Sequence, residues 1–297
     1  MEIQPKPKLP KFTIIDDFPW PSVYTPDILR SALNYEPCSD DVFINSYPKC
    51  GTTWMQNICL ELMYGKTPTA GGQEMLWLSP MLDYSGSEEV KKLPRPRLIK
   101  THFRYNQMNF GAAHKIVFVV RNPKDCLVSY YYHHKAFKHY DWEDGDFDQF
   151  YDLFMHRANK ELGYGDYFDF HESWLPHMND DNVLTLIYEE MLVDLPAAVK
   201  AVAAFLGGAA QERADDPATF NEIVKRCTLK EMKGDDSRYF PTEILTGTVP
   251  FIRKGVAKDW VNHLNNEQSK EIDEIFERRF GGTKLYDAWA PIMANDK

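Results

Sequence analysis

A turn of unusual composition separates a short apolar run from a helical pattern. The stretch PKCGTTW, at positions 48–54, places a lysine, a glycine and two threonines between the two segments. If a helix begins at the threonines, the N–H groups of Gly51, Thr52 and Thr53 are free at its N-terminus, where the helix dipole favours an anion. Lys49 adds a full charge. The turn therefore predicts a phosphate cradle or, since GxxxxGK[ST] is absent, an ordinary strand-to-helix turn with an exposed lysine.

Two further basic clusters favour the cradle. In RNPKDCLVSYYYHH, Arg121 follows an apolar run, a proline begins a helical pattern, and Ser129 lies about two helical turns further on. FIRKGVAKDW places five neighbouring residues in a predicted loop, namely Phe251, Ile252, Arg253, Lys254 and Gly255. Each cluster alone is typical of a solvated surface. The three together indicate a ligand with more than one phosphate-like group.

The elements that must position these residues follow from four apolar runs, at 41–47, 97–102, 114–121 and 182–190. Their β-branched and aromatic content predicts buried strands, and helical patterns follow the first, third and fourth. This alternation predicts an α/β fold with a central, largely parallel sheet flanked by helices.

Polar side chains stand at or after the end of each run. Lys49 follows the first run, Lys100 and His102 lie at the end of the second, Arg121 ends the third and Tyr188 lies in the last. Ligands of parallel α/β sheets bind outside the carboxyl ends of the strands, so these residues are expected to converge on one crevice.

Composition limits the class of protein. The chain of 297 residues has 43% hydrophobic and 14% aromatic residues, which suits one globular domain over 1–297. Residues 1–40 are rich in proline and polar groups and predict an irregular lead-in with one short helix near Pro26–Leu33. The net charge of −10 argues against a nucleic-acid or anionic-membrane partner.

The location and metal content are predicted from what the sequence lacks. It has no apolar leader and no run of 18 apolar residues, which predicts a cytosolic protein with no membrane association. Its five cysteines form no CxxC pair, so reduced thiols are expected and no metal site is predicted.

In this order, YPKCGTTW, KTH, RNPKDCLVSYY, YEEM and RKG resemble the motifs of the cytosolic sulfotransferases over about residues 41–260. That family moves a sulfuryl group from 3′-phosphoadenosine 5′-phosphosulfate (PAPS) to a hydroxyl or amine. The resemblance implies that the loop of Lys49, Cys50, Gly51, Thr52 and Thr53 holds the 5′-phosphosulfate, that Trp54 stacks on adenine and that Tyr188 contacts the cofactor. It assigns the loop of Phe251, Ile252, Arg253, Lys254 and Gly255, together with Arg121 and Ser129, to the 3′-phosphate.

The resemblance also implies a catalytic set: His102, Lys49, Lys100 and Ser129. The ordinary pKa of histidine already suits a general base at neutral pH. A lysine at the loop can neutralise the negative charge on the leaving phosphate. The sulfuryl group carries less charge than a phosphoryl group, so no metal is implied. Three positions depart from the family pattern: Cys50 stands where serine is usual, and Cys227 and Leu229 stand where threonine and phenylalanine usually meet the adenosine.

Two other classes remain open, a nucleotide kinase and an inactive nucleotide-binding protein. The expected acceptor is a small molecule, with phenols ranked first and amine-bearing catechols next because aromatic residues are abundant.

Many relatives share a C-terminal dimer motif of lysine, Thr-Val and glutamate. Val261, Asn265, Asn266 and Lys270 occupy its positions here, so a monomer is expected.

Overall fold

The computed structural model describes residues 8–69, 73–111, 114–233 and 236–294. Its strands are β1 (Phe12–Ile15), β2 (Phe18–Pro21), β3 (Val42–Asn45), β4 (Leu98–Thr101), β5 (Lys115–Val120) and β6 (Val183–Ile187). β3 to β6 form a parallel four-stranded sheet in the order β4-β3-β5-β6. The prediction of an α/β fold around a parallel sheet is confirmed.

Helices cover both faces of this sheet. They are α1 (Pro26–Leu33), α2 (Thr52–Tyr64), α3 (Gln73–Leu78), α4 (Leu82–Lys91), α5 (Pro123–Ala136), α6 (Phe147–Asp152), α7 (Ala158–Glu161), α8 (Tyr167–Trp174), α9 (Tyr188–Val193), α10 (Leu195–Leu206), α11 (Gly208–Asp215), α12 (Pro217–Arg226), α13 (Leu229–Met232), α14 (Asn266–Phe280) and α15 (Lys284–Met293). A π-helical turn, Leu153–Arg157, joins α6 to α7. None of the described helices is long and apolar enough to cross a membrane.

Side chains of each central strand alternate between two hydrophobic cores. On β5, Phe118 and Val120 pack into a core shared with α5, α8 and α14, whereas Val117 and Val119 pack against α2 and α10. A strand buried on both faces has no polar alternation, which explains why these strands are continuous apolar runs in the sequence.

The predicted strand positions are confirmed, with shorter bounds. The fourth run was predicted to extend to residue 190, but β6 ends at Ile187 and α9 begins directly at Tyr188. The chain therefore turns from strand to helix at a predicted site residue. As predicted, α2, α5 and α9 follow the first, third and fourth strands.

The prediction of an irregular lead-in over 1–40 is wrong at one place, the segment that contains β1 and β2. The predicted helix near Pro26–Leu33 is present as α1, but β1 and β2 also pair as an antiparallel hairpin. Its two-residue turn, Asp16 and Asp17, has φ values of 51° and 61°, a geometry usually signalled by Asn-Gly or Asp-Gly. The sequence does not indicate this hairpin, because two aspartates form its turn and prolines, which are uncommon in strands, stand in β2. Residues 1–7 of the predicted lead-in lie outside the described residues.

Candidate active site

The carboxyl ends of the central strands open into a cavity of about 480 Å³. Most of the predicted site residues line it: Lys49, Gly51, Thr52, Thr53, Trp54, Lys100, His102, Arg121, Ser129, Tyr188, Leu229, Phe251, Ile252, Arg253, Lys254 and Gly255. The structure therefore brings together residues that are separated by up to 206 positions, from Lys49 to Gly255. Cys50 and Cys227 are buried beside the cavity and do not line it.

The loop before α2 has the geometry of an anion cradle. Its backbone takes left-handed conformations at Lys49 (φ 70°) and at Gly51 (φ 110°), the N-cap of α2. A Cβ atom at Gly51 would lie 2.9 Å from Cδ2 of Tyr188, so only glycine fits there. This arrangement leaves the N–H groups of the first turn of α2 without intrahelical acceptors.

Lys49 has an ammonium group in an unfavourable environment. Burial, together with the charges of Arg121 and Lys100, lowers the pKa of Lys49 to about 7. Its Nζ lies 3.8 Å from the centre of the Phe251 ring, a contact that only partly compensates for lost hydration. An anionic ligand would relieve this cost, so the loop fits a phosphate-like group.

Arg121 connects two sides of the site. Its guanidinium donates to the carbonyl oxygen of Lys49 at 3.1 Å and stacks 4.4 Å from the centre of the Tyr188 ring. Its Nε is buried and has no hydrogen-bond partner within the described residues. A buried cationic donor without an acceptor is costly, and an anion in the cavity would pair with it.

The loop at 251–255 carries two more cations. The side chains of Arg253 and Lys254 both donate to Asp259, which also accepts a hydrogen bond from Asn262 at 3.0 Å. Burial opposes ionisation of this carboxyl, yet the hydrogen bonds from Lys254 and Arg253 hold the pKa of Asp259 well below its usual value. The two cations are thus oriented by one carboxylate.

A flat apolar wall completes this half of the cavity. Trp54 donates from Nε1 to the carbonyl oxygen of Cys227 at 2.7 Å, which fixes the indole ring, and its ring meets that of Tyr188 edge-on. Leu229 lies on the same lining, and a Cβ atom at Gly255 would lie 2.7 Å from its Cδ1. Cys227 therefore contributes a backbone acceptor that holds Trp54, while its thiol faces Asn57.

His102 is buried on the lining of the cavity, directly after β4. Its Nδ1 lies 2.7 Å from the carbonyl oxygen of Ser46. Because a carbonyl oxygen only accepts, Nδ1 carries the proton and Nε2 carries the free lone pair. Burial, and next the charge of Lys100, lowers the pKa of His102 well below its ordinary value. The imidazole is therefore neutral at pH 7 with a free lone pair, but burial makes it a weaker base than the sequence prediction assumes.

Asp83 on α4 supports the backbone at this position. Its carboxylate accepts from the N–H group of His102 at 2.9 Å, and burial raises the pKa of Asp83 to about 6 despite a hydrogen bond from Thr101. Burial also lowers the pKa of the neighbouring Lys100 to about 8. Asp83 thereby fixes the start of the segment that carries His102.

Several lining residues near His102 carry no signal in the sequence. Tyr164 packs its ring edge-on against His102 at 5.1 Å, and its hydroxyl lies 2.6 Å from that of Tyr24. The cavity lining also contains Met81, Tyr84, Tyr132, His133, Phe137, Tyr140, Phe240 and Ile244. Between 130 and 170, rings such as Phe150 and Phe170 are fully buried in the core, and composition alone does not separate them from Phe137 or Tyr140.

The thiol of Cys50 points into the core below the loop. Its Sγ lies 3.7 Å from Sγ of Cys126, whose thiol approaches the carbonyl oxygen of Pro48 at 3.4 Å. The departure at this position therefore leaves the cavity surface unchanged. Among the described residues, no group of three or more histidine, cysteine or acidic side chains is placed to hold a metal ion.

Comparison with known proteins shows the same family along most of the chain. Residues 39–284 match the family model described as the sulfotransferase domain. The chain is 31% identical over 274 residues to sulfotransferase 1A1 of Mus musculus, covering 87% of this chain and 91% of that protein. It is 30% identical over 291 residues to sulfotransferase 6B1 of Homo sapiens, covering 92% and 88% of the two chains.

A solved structure shares the fold. Mouse sulfotransferase SULT7A1, crystallised in complex with PAP, superimposes with a TM-score of 0.74 at 25% identity, covering 94% of this chain and 99% of that chain. Retinol dehydratase in a complex with retinol and PAP superimposes with a TM-score of 0.67 at 22% identity, covering 87% of this chain and 85% of that one.

Proposed function

This chain belongs to the sulfotransferase family and is a PAPS-dependent enzyme of sulfuryl transfer, and on that premise we propose the roles of its residues and the class of its acceptor. The cradle before α2, with Lys49, holds the 5′-phosphosulfate. Arg121, Arg253 and Lys254 hold the 3′-phosphate, with Ser129 and the backbone at Gly255. The support is the chemistry of the lining, which offers cations and free N–H groups to two anionic groups.

His102 is proposed as the general base. Its Nε2 removes the proton of the acceptor hydroxyl as the new S–O bond forms, and the imidazole becomes cationic. The carbonyl oxygen of Ser46 keeps the other ring nitrogen protonated, so the free lone pair stays on Nε2. This hydrogen bond is the observation that carries the assignment of the base.

Lys49 and Lys100 are proposed to act on developing charge. PAPS supplies an activated sulfuryl group on a phosphate leaving group. Lys49, at the cradle, stabilises the negative charge that the leaving phosphate gains as the old S–O bond breaks. Lys100 lies beside His102 and favours the deprotonated acceptor oxygen through its positive charge. Ser129 contributes a hydroxyl donor to the cofactor on the lining of the cavity.

The acceptor is proposed to be a small phenol or another apolar alcohol. The rings of Tyr24, Phe137, Tyr164 and Phe240 offer planar apolar contacts near the base. Glu243, the acidic residue among the described lining residues, is exposed and is the group that an acceptor ammonium would meet. Amine-bearing catechols therefore rank second. A small molecule remains the proposed partner and the cytosol the proposed location.

Transfer from labelled PAPS to a panel of phenols, run in excess chelator, tests this proposal. We expect transfer without added metal, and a loss of turnover of about a hundredfold or more in His102→Ala and in Lys49→Ala. His156→Ala and Lys91→Ala, both outside the cavity lining, are the matched controls and should retain wild-type rates.

The outcomes separate the alternatives. Strict dependence on magnesium with transfer from ATP would favour a nucleotide kinase. Tight PAP binding without transfer to any acceptor would favour a nucleotide-binding protein without activity. Near wild-type rates of His102→Ala at every pH would remove His102 as the base, and reaction with carbohydrate acceptors alone would overturn the acceptor class.

A further inference from the structure

His133 is a polar side chain within an aromatic wall of the cavity. It lies on α5 and lines the cavity, while its ring packs 4.4 Å from Phe137 and 5.6 Å from Tyr140, centre to centre. Its Nδ1 is buried and has no hydrogen-bond partner within the described residues. A phenylalanine would fill the same space without leaving a polar atom unpaired, so packing alone does not account for a histidine here.

The same wall reaches the two lysines at the reacting centre. His133 and Phe137 pack against Phe251, and Phe251 packs 4.4 Å from Phe240. Nζ of Lys49 lies over the Phe251 ring, and Nζ of Lys100 lies 5.9 Å from the centre of the Phe240 ring. An acceptor whose hydroxyl meets His102 beside Lys100 therefore places its body against the wall that contains His133.

We propose that His133 is a specificity-determining residue that hydrogen-bonds a second hydroxyl of the acceptor, so that the preferred acceptors are dihydroxy-aromatic compounds. The inference rests on the proposed function of the cavity. A neutral imidazole has one donor and one acceptor nitrogen, and a hydroxyl can pair with either. Burial, with the charge of Lys49 next, lowers the pKa of His133 well below its ordinary value, which keeps the ring neutral.

The chemistry of the site selects a hydroxyl over other polar groups. An ammonium at His133 would add a positive charge near Lys49 and Lys100, both of which influence this imidazole. A carboxylate only accepts and so pairs with the N–H nitrogen of the ring alone, whereas a hydroxyl pairs with whichever nitrogen faces the cavity. The flanking rings of Phe137 and Tyr140 favour a planar body that stacks against them.

The test compares phenol, the three dihydroxybenzenes and their monomethyl ethers as acceptors for wild-type protein and His133→Phe. In the wild type, we expect kcat/KM for at least one dihydroxybenzene to exceed that for phenol about tenfold, as one hydrogen bond allows. His133→Phe should remove most of that advantage and leave phenol nearly unchanged. The methoxy oxygen of a monomethyl ether only accepts, so the ethers should resemble phenol if His133 accepts the hydroxyl proton and should keep the preference if its N–H group donates. Differences in the chemical reactivity of the acceptors cancel, because the ratio of kcat/KM between two acceptors is compared between wild type and variant.

Two further variants keep the result interpretable. His133→Gln retains a donor and an acceptor and should restore part of the preference, whereas His156→Phe, outside the cavity lining, should leave every ratio unchanged. Calorimetry with PAP should give wild-type affinity for His133→Phe. Equal ratios in wild type and His133→Phe, or a loss of PAP affinity in the variant, would overturn the inference.

The failure of the inference is distinguishable from the failure of the proposed function. Wild-type transfer of labelled sulfuryl groups to phenols, with no effect of His133→Phe on the ratios, would overturn the role of His133 alone. Absence of transfer to every acceptor in the panel would overturn the proposed function and with it the role of His133. A raised melting temperature of His133→Phe with unchanged ratios would identify His133 as a packing residue.

Discussion

Lys49 combines a strained backbone with a destabilised charge. A residue other than glycine at φ 70° costs about 1 kcal/mol or more, and burial of the ammonium adds to that cost. The backbone strain is present with or without a ligand, whereas an anion bound in the cavity would offset the cost of the buried charge. The loop is thus prepared for binding at the expense of stability.

Binding of PAP should therefore be coupled to proton uptake. The pKa of Lys49 is about 7 in the free protein, so this amine is mostly neutral at pH 8, and an adjacent phosphate would raise its pKa and protonate it. Calorimetry at pH 8 in buffers of different ionisation enthalpy should reveal uptake of up to about one proton by Lys49 with a smaller share from Lys100, and the total should fall towards zero at pH 6. PAP affinity should weaken as the pH rises above 7.

The matched variant for this coupling is Lys49→Arg, whose guanidinium stays protonated at both pH values. It should retain only the smaller uptake that Lys100, with a pKa of about 8, contributes. Identical heats in all buffers at pH 8 for the wild type would contradict the coupling.

Arg253 should discriminate between nucleotides that differ only in the 3′-phosphate. Arg253→Ala is expected to weaken PAP binding about tenfold or more, since it removes a charge-assisted hydrogen bond, with kcat reduced less than the cofactor KM is raised. Its affinity for 5′-AMP, which lacks the 3′-phosphate, should remain at the wild-type level. Equal losses for both nucleotides, measured by calorimetry, would place Arg253 elsewhere in the site.

At the scale of elements, the start of α2 depends on a contact with α9. Gly51 ends the turn and the ring of Tyr188, the first residue of α9, lies where a side chain at Gly51 would project. Two helices that follow two different strands thus meet at one backbone position. The cradle is shaped as much by β6 and α9 as by its own sequence.

Gly51→Ala is expected to be costly for this reason. It combines left-handed strain with a collision, so it should lower the free energy of unfolding by about 1–3 kcal/mol and weaken PAP binding at least tenfold. Gly282→Ala is the matched control, because Gly282 has φ 80° with no atom near its absent Cβ. It should show the strain cost in thermal melts with wild-type PAP affinity, and similar PAP affinities of the two variants would refute the expected collision.

The sequence predicts the elements that carry the cofactor site better than those that face the acceptor. Lys49, His102 and Arg121 each follow a buried apolar run, and the topology of a parallel sheet brings such residues to one edge. The hairpin of β1 and β2 lacks a usual turn signal, and its burial depends on packing of Trp20 against distant rings such as Phe103. Such contacts have no local signature in the sequence.

The side chains proposed to face the acceptor are equally difficult to identify from the sequence. Phe137 and Phe150 are residues of the same type, 13 positions apart in the sequence. Phe137 lines the cavity, whereas Phe150 does not and is fully buried in the core. Their difference follows from the direction of each side chain after folding. That Nδ1 of His133 has no hydrogen-bond partner among the described residues can likewise be recognised only once its neighbours in space are known.

At the scale of the whole molecule, positive charge is concentrated while the net charge is −10. Lys49, Lys100, Arg121, Arg253 and Lys254 all face one cavity. A small anionic ligand therefore meets a local cluster of cations, whereas a long polyanion would meet a largely acidic surface. The prediction that nucleic acid is not a partner follows from this distribution, and a single domain over 1–297 likewise stays a prediction.

We expect a monomer at micromolar concentration. Lys270 is exposed and pairs with Glu274 of its own helix at 3.6 Å, and Asn265 caps that helix together with Gln268. Two such segments would bring lysines rather than opposite charges together. Light scattering should give a mass near 34.6 kDa.

Lys270→Glu is the comparison variant for the oligomeric state. It should leave the mass unchanged, since this segment makes no interface in the wild type. A mass of twice the chain that is lost on mutating only residues 261–270 would show that this segment does form a dimer.

The lining of the cavity is divided between separate stretches of chain. Most groups proposed for the cofactor lie at strand ends and in the 251–255 loop, whereas Tyr24, Tyr84 and Tyr164 come from other segments and His133 lies one helical turn beyond Ser129 on α5. Substitutions at these four positions leave the residues of the cradle unchanged. The range of acceptors is therefore the property of this fold that can change while the cofactor site is kept. Duplicated copies of the protein could diverge in the acceptors that they modify and keep the same sulfuryl donor. A library of variants confined to these four positions is the direct route to new acceptors.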